Sequence, residues 1–440
     1  MDDLDHLYPA HFAELQHRAE RAMSLCGVDA LLIGSGTQIY HFLDDLPQPF
    51  RPNPLFRQWL PEVDAPDCWL AFQPGSKPTL VYCQPADYWH KLPADPSGPW
   101  VPFFDVHVVR DAEQARAALP QDLSRHVLLA PPGATMAGRE PDNPPELIAA
   151  LHYHRAIRTA YELALMRQAS LTGARAHRAA EAAFRAGESE WGIHLMYMAA
   201  AQQADVDLPY SNIIALNEHA AVLHYHGLDR APVAQSRSFL IDAGASCHGY
   251  ASDITRTYAS DDGAFAELVA GVERVQQSLC SQVRAGVDYR QLHLDCHQQL
   301  AGVLRDAGVL RIAAEEAVER GVSGTFFPHG LGHLIGLQVH EVGGFQADEL
   351  GRSEIPKPAG HPWLRLTRTL QENFVVTIEP GVYFIPMLLE QLRAGPHADT
   401  VDWSAVERFL PYGGIRIEDD VRVTDGDPEN LTRDAFAALG

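Results

Sequence analysis

The chain has 440 residues, 46% hydrophobic and 21% charged, enough apolar material for two domains, one of them large. Lys and Arg number 34 against 57 Asp and Glu, a formal net charge of −23, which argues against nucleic acid or anionic lipid as the main partner because both reward clustered cations. No apolar run approaches the roughly 18 residues of a membrane span; the six cysteines form no C-x-x-C pair, and the acidic start is unlike a leader, so a reducing cytoplasmic setting is expected.

Residues 11–27 read as a helix with Phe12, Leu15, Ala19 and Ala22 on one face. ALLIGSG (30–36) reads as a strand running into a turn. Its Gly34 and Gly36 match a nucleotide loop only weakly, because the third glycine and the following helix are missing. Residues 44–66 are rich in proline and aromatics, a loop too apolar to float free and expected to pack on something, another subunit included. WLAFQ, TLVYC and HVLLA read as strands, making the first 140 residues a mixed α/β domain. Turn residues crowd 133–147, the expected boundary, and a short helix (145–155) follows. A long helix over 159–186 carries Ala160, Leu163, Met166, Ala169, Ala174 and Ala180 on its apolar face. After 235 come short strands, helices at 264–284 and 288–308, and then strands to the end. Residues 350–362 and 385–410 read as loops, with a turn of helix near SAVERFL. The domains expected are 1–150 and 158–440.

Five segments carry chemistry. SFLIDAGA closes an apolar strand on Asp242, and GASCHGY then connects it to ASDITRTYA, where Asp253, Thr255 and Thr257 share one strand face. A hairpin there brings Asp242 and Asp253 together, and two carboxylates that close repel unless protons or cations intervene. HGLGHLIGLQVHEVGG holds His329, His333 and His340 among glycines that let backbone approach closely. FVVTIEPG ends an apolar strand on Glu379, and GGIRIEDD alternates Arg416 and Glu418 with isoleucines. Asp242, Asp253, Glu379 and Glu418 are thus carboxylates in apolar strands, where burial is costly. Two divalent cations neutralise the four. With one imidazole, His333, the set is hard and oxygen-rich, suited to Mn²⁺, with Co²⁺, Zn²⁺ and Fe²⁺ as alternatives. Such a pair of metals suits amide or ester hydrolysis.

The order Asp, Asp, His, Glu, Glu resembles the metal site of the pita-bread metallopeptidases, the family of prolidase, aminopeptidase P and methionine aminopeptidase. The resemblance runs from RTAYELALMRQ to the C-terminus. It implies a mixed α/β (α+β) fold: a creatinase-like N-terminal α/β domain followed by a C-terminal pita-bread domain. It also implies that Asp242 holds one metal, that His333 and Glu379 hold the other, and that Asp253 and Glu418 bridge them. A hydroxide between the metals attacks the scissile carbonyl while Glu379 assists proton transfer. His224 and His340 match family histidines that bind the substrate carbonyl and stabilise the tetrahedral intermediate. His329 and Arg416 resemble a supporting shell of the substrate site, with Arg416 fixing Tyr210, which matches a family tyrosine near the metals. His226, beside His224, takes no role.

Three features resemble the bacterial prolidase branch: the long segment between Glu379 and Glu418, the N-terminal FLDDLPQPFRPNPLFRQWLP, and LRLTRTLQENFVVTIEPG. In the last, Arg365 matches an arginine that clamps the proline carboxylate of a dipeptide with two hydrogen bonds. The resemblance therefore implies metal-dependent hydrolysis of Xaa-Pro dipeptides, with hydrolysis of organophosphorus esters at most a side activity. It also implies a homodimer in which Asp44 or Asp45 of the N-terminal loop, Asp45 being the one singled out, meets the substrate amine in the neighbouring subunit. The competing readings are an aminopeptidase P acting on longer Xaa-Pro peptides and a catalytically silent pita-bread binding protein.

Overall fold

The chain is described from a computed structural model covering residues 4–440, which divides into two compact units. The first comprises residues up to Arg155 together with Thr159–Ala164 and Asp348–Ser353; the second comprises Ala156–Arg158, Leu165–Ala347 and Glu354–Gly440.

In the first unit the helix α1 (Tyr8–Cys26) buries Phe12, Leu15, Ala19, Ala22 and Met23, and stops at Gly27, whose φ of 66° a residue with a Cβ adopts poorly. The strands β1 (Ala30–Gly34), β2 (Trp69–Phe72), β3 (Thr79–Cys83), β4 (Asp105–Val109) and β5 (His126–Leu129) form one sheet in the order β4-β3-β2-β1-β5. β1–β2 and β2–β3 are antiparallel, whereas β1–β5 and β3–β4 are parallel. Gly34 has a packing reason rather than a phosphate: a Cβ there would sit 2.8 Å from the Trp69 ring. A short α2 (Pro54–Arg57) interrupts the apolar 44–66 segment, and Leu55, Phe56, Trp59 and Leu60 are buried. Helices α3 (Ala112–Ala118) and α4 (Pro145–Arg155) complete this unit.

In the second unit, α5 (Ala160–Arg185), counted here from Leu165 onward, and α6 (Glu190–Ala201) precede β6 (Ile213–Leu216), β7 (Ser238–Asp242), the two-residue strands β8 (Ser246–Cys247) and β9 (Tyr250–Ala251), and β10 (Thr255–Ala259). A three-stranded sheet runs β10-β7-β6. Helices α7 (Ala264–Cys280) and α8 (Tyr289–Asp306) present Leu268, Val272, Leu279, Leu292, Cys296 and Leu300 to the largest apolar cluster. The short α9 (Ala314–Glu319) and α10 (Ser323–Phe326) follow, then β11 (Val375–Ile378), β12 (Gly381–Tyr383), α11 (Pro386–Ala394), α12 (Trp403–Phe409), β13 (Gly414–Arg416), β14 (Asp419–Arg422), β15 (Glu429–Asn430) and α13 (Leu431–Ala438). β14 lies between β11 and β15, and β12 pairs with β13.

The region after 308 is therefore not a run of strands. The stretch 385–410, expected as a loop with a turn of helix near SAVERFL, holds α11 in addition to α12, which falls where that turn was expected. α11 opens on Pro386 and buries only Leu389, so its apolar stripe was too thin to register. α12 is started by the Asp402 carboxylate, which accepts from the Ser404 and Ala405 amides.

Candidate metal centre

Strand ends deliver the candidate ligands. Asp242 closes β7 behind buried Phe239, Leu240 and Ile241, and faces Thr255 across the β7–β10 ladder. Asp253 lies two residues before β10, outside the ladder, so it is not the strand-face partner of Thr255 that the alternation suggested. Its amide donates instead to Asp420 Oδ2 at 3.0 Å. Glu379 follows β11 directly, and Glu418 joins β13 to β14 while bridging to Thr255.

Backbone pairing sets His333 beside Glu379. The 331–335 segment runs along β11: Glu379 N donates to Leu331 O, Thr377 N to His333 O, and Ile335 N to Val375 O, at 2.9, 2.9 and 3.0 Å. Gly332 permits that approach, since a Cβ there would lie 2.3 Å from the Thr377 carbonyl. Gly330 does the same on the other side, against the backbone of Trp363 and Leu364. Both glycines of HGLGH thus serve close packing.

Nitrogen and oxygen donors converge here. Asp253, His333 and Glu418 are buried, and each offers a donor atom within 4.8 Å of the others. His333 Nδ1 donates to the Leu334 carbonyl at 3.0 Å, which leaves the Nε2 lone pair facing Asp253 Oδ2 at 3.6 Å and Glu379 Oε1 at 3.7 Å. The Thr255 hydroxyl donates to Glu418 Oε2 at 2.7 Å. The Tyr210 hydroxyl lies 2.7 Å from Asp242 Oδ1 and 2.5 Å from Asp253 Oδ1. One phenolic proton cannot serve both carboxylates, so a further proton or a cation must stand among them.

Electrostatics say the same. Burial, then Asp242 and Asp420, push the Asp253 carboxyl well above its usual range. Burial, then Asp253 and Glu379, do so for Glu418. Burial raises Glu379 to about 8 against the opposing pull of Arg416. Burial, then His340, hold His333 neutral at about 3. Four crowded carboxylates and one neutral imidazole fit a pair of hard-to-borderline divalent cations, which remove the repulsion and take up the free lone pairs. Asp242, Asp253, His333, Glu379 and Glu418 would hold them.

Around the ligands runs a hydrogen-bonded chain. Arg416, buried, donates through Nη2 to Asp242 Oδ2 at 2.6 Å and through Nη1 to the Tyr383 hydroxyl at 2.8 Å. That hydroxyl lies 2.8 Å from His329 Nε2, and His329 Nδ1 is 2.8 Å from the Gly330 carbonyl. Burial, then Arg416, keep His329 neutral at about 3, so it donates at Nδ1 and accepts at Nε2. Arg416 and Tyr210 share the Asp242 carboxylate, one on each oxygen. Tyr383 was missed in the sequence, because a tyrosine in the apolar GVYF strand reads as core.

The mouth of the centre is cationic. Arg365 is exposed between buried Leu364 and Leu366, and among the described residues no carboxylate pairs with it. Its guanidinium lies close enough to oppose protonation of His333, His340 and Glu379. Burial, then Arg365, push the exposed His340 down to about 4, and its ring meets that of His333 edge-on at 4.4 Å between centroids. His224 is exposed and near enough to depress both His329 and His340. Its loop is anchored by Glu190, a second missed residue. The buried Glu190 carboxylate accepts from the Leu216 and Asp229 amides, at 2.9 and 2.8 Å, and from the Tyr225 hydroxyl at 2.7 Å. His226 is exposed. Asp44 and Asp45 are exposed in the first unit.

A family model described as "Xaa-Pro dipeptidase, N-terminal domain" matches residues 6–153, and one described as "Metallopeptidase family M24" matches residues 164–425. A protein called Xaa-Pro dipeptidase from Stenotrophomonas maltophilia (strain K279a) is 54% identical over 434 residues, 98% of each chain. One of the same name from Xanthomonas axonopodis pv. citri is 53% identical over 436 residues, 99% of each. Among solved structures, the aminopeptidase PepP of Pseudomonas aeruginosa matches with a TM-score of 0.70 at 21% identity, over 97% of this chain and 98% of that one. Aminopeptidase P from E. coli with the inhibitor Pro-Leu matches with 0.71 at 20%, over 97% and 98%. At such identities these two speak for the fold alone, and they agree with the fold class expected from the sequence.

Proposed function

This chain belongs to metallopeptidase family M24, and on that premise we propose that it is an Xaa-Pro dipeptidase, releasing free proline. The observation that carries the substrate is Arg365, an exposed cation without a carboxylate partner among the described residues and near enough to act on Glu379, His333 and His340. A dipeptide places its terminal carboxylate next to the scissile bond, and a guanidinium grips a carboxylate with two charge-assisted hydrogen bonds. A longer peptide has no charge there. The names of the relatives that are more than 50% identical agree with this reading.

The Xaa-Pro amide has no N–H and a restricted ring, so a site that grips the N–H fails on it. In this reading the chain uses other handles. Arg365 binds the proline carboxylate, and His224 and His340 meet the scissile carbonyl. Glu379, ionised beside the bound cations, accepts a proton from the attacking water and returns it to the leaving imino nitrogen. Tyr210, Arg416 and His329 keep the carboxylates oriented through Asp242 and Tyr383. Two divalent cations, Mn²⁺ as our choice, supply Lewis acidity at the carbonyl and acidify the attacking water when bound.

The same reading includes a homodimer and a cytoplasmic setting. Ile39, Phe42, Leu43 and Leu46 are exposed around Asp44 and Asp45, and apolar surface of that kind is normally covered. Asp45 of that loop is our candidate for meeting the substrate amine in the neighbouring subunit. The six cysteines are all free, and no helix among the described residues is long and apolar enough to cross a membrane.

The test is a paired cleavage assay. Protein stripped with chelator and reloaded with Mn²⁺ is offered Ala-Pro and Ala-Pro-Ala. Metal-dependent release of proline from Ala-Pro, with the tripeptide intact, is expected. Release of Ala from the tripeptide at an equal or higher rate would move the assignment to an aminopeptidase P.

A further inference from the structure

A second histidine cluster lies in the same unit, apart from the five candidate ligands. His293 and His297, spaced i and i+4 on α8, project from one helix face toward His361, in the stretch before β11. The three imidazoles stack edge-on, with centroids 4.8, 4.7 and 4.6 Å apart. Each offers one ring nitrogen within 4.8 Å of the other two, and no carboxylate belongs to the group.

Ordinary hydrogen bonding does not account for this arrangement. His297 Nδ1 is engaged by the Ser323 hydroxyl at 3.0 Å, while its Nε2 has no partner. His293 Nε2 lies 2.9 Å from His361 Nδ1, and its own Nδ1 has none. Both rings are at least 98% buried, and buried polar atoms are normally satisfied. Burial depresses all three, His293 to about 2 and His297 to about 3, so each keeps a lone pair at neutral pH. Glu190, His219 and Asp229 also cluster, but the Glu190 carboxylate is already saturated by amide and hydroxyl donors, so that group is accounted for.

We propose that His293, His297 and His361 form a third metal site, taking one borderline divalent ion, Zn²⁺ before Mn²⁺. Three neutral nitrogen donors suit Zn²⁺, whereas the carboxylate-rich centre suits Mn²⁺. Ser323 plays the orienting part that a metal-bound imidazole requires of its other nitrogen. His361 is half exposed, so the fourth position opens toward solvent. The ion ties α8 to the segment that leads into Arg365. On the other side, the Phe327 ring stands between His297 and His329, 4.9 and 4.7 Å from them, and joins the two clusters by packing alone.

The test is metal content, not turnover. Full-length protein, stripped with chelator, is loaded with Mn²⁺, then given Zn²⁺ and desalted. Elemental analysis is expected to find about one Zn²⁺ per chain beside the Mn²⁺, lost in H361A, whose half-exposed position spares the core, and in H297Q. With Co²⁺ in place of Zn²⁺, a visible ligand-field spectrum of a nitrogen-ligated ion is expected in the native chain and absent in H361A. Equal Zn²⁺ in native protein and H361A, or no uptake by native protein, overturns the proposal. A D253N/E418Q chain separates the two centres: a retained single Zn²⁺ that H361A then removes supports the histidine site whatever the fate of the carboxylate one.

Discussion

Arg416 Nη2 donates to Asp242 Oδ2 across 2.6 Å, with both side chains nearly closed to solvent. The guanidinium is the counter-charge built into a cluster otherwise rich in carboxylates, and its other nitrogen holds the Tyr383 hydroxyl. Removing one partner of a buried pair leaves the other uncompensated, which costs about 3–5 kcal/mol. R416A is therefore expected to destabilise the metal-free protein by about that amount in urea unfolding, and to lower kcat even when reloaded with Mn²⁺. R416K keeps the charge but cannot fork to Asp242 and Tyr383, so it should recover stability more than activity. Equal stability of R416A and native chain in chelator would contradict the counter-charge role.

The carboxylates set a pH dependence for the metal-free chain. Burial raises the folded-state carboxyl of Glu379 to about 8, and those of Asp253 and Glu418 upward too, above their unfolded values. A raised acid binds more protons folded than unfolded, so its contribution is fully present below the unfolded pKa and is lost as pH rises through the folded one. Urea midpoints in chelator should thus fall between about pH 4.5 and about 8, with a slope near 1.4 kcal/mol per pH unit for each proton involved. Mn²⁺ should reverse the trend, because binding releases those protons and tightens with pH. A flat chelator profile would mean the carboxylates are ionised without metal.

Tyr383 links the arginine to His329 through hydrogen bonds of 2.8 Å on each side. Y383F removes only the hydroxyl. His329 Nε2 and Arg416 Nη1 then both lose a partner in a closed site, at about 1–3 kcal/mol. The expected outcome is a fall in kcat of about tenfold or more, with KM for Ala-Pro little changed, since the ring stays and Arg365 is untouched. A change confined to KM would place Tyr383 on the substrate instead.

What the sequence revealed followed from pattern. An acid closing an apolar strand is anomalous, so Asp242, Glu379 and Glu418 stood out from a single chain, and the glycines of HGLGH announced close packing. The long helices α1 and α5 came from periodicity. What stayed hidden depends on distant partners. Glu418, Asp419 and Asp420 are adjacent acids with three fates. Glu418 joins the donor cluster. Asp419 is held below its usual range, despite burial, by Arg256 at 2.8 Å and Arg433 at 2.6 Å, and Asp420 takes the Asp253 amide. Nothing local tells these apart. His293, His297 and His361 were likewise unread, because their meeting joins a helix to a stretch expected as a loop.

Arg365 decides between dipeptidase and aminopeptidase. Leu364 and Leu366 are fully buried, whereas Arg365 between them is exposed. A charge-assisted bond to a carboxylate contributes about 1.5–3 kcal/mol, and a two-pronged one more. R365A should raise KM for Ala-Pro by on the order of 100-fold while leaving kcat within a few fold, since no bond to the donor cluster is lost. Ala-Pro-amide, which lacks the charge, should be turned over equally poorly by native chain and R365A. R365K should sit between, because an ammonium keeps the charge but not the fork. Steady-state kinetics on the three chains and two substrates make a double cycle, and its coupling energy is the clamp itself. If R365A lowers turnover of Ala-Pro and Ala-Pro-amide by the same factor, the coupling vanishes and Arg365 acts by tuning Glu379, not by holding the carboxylate.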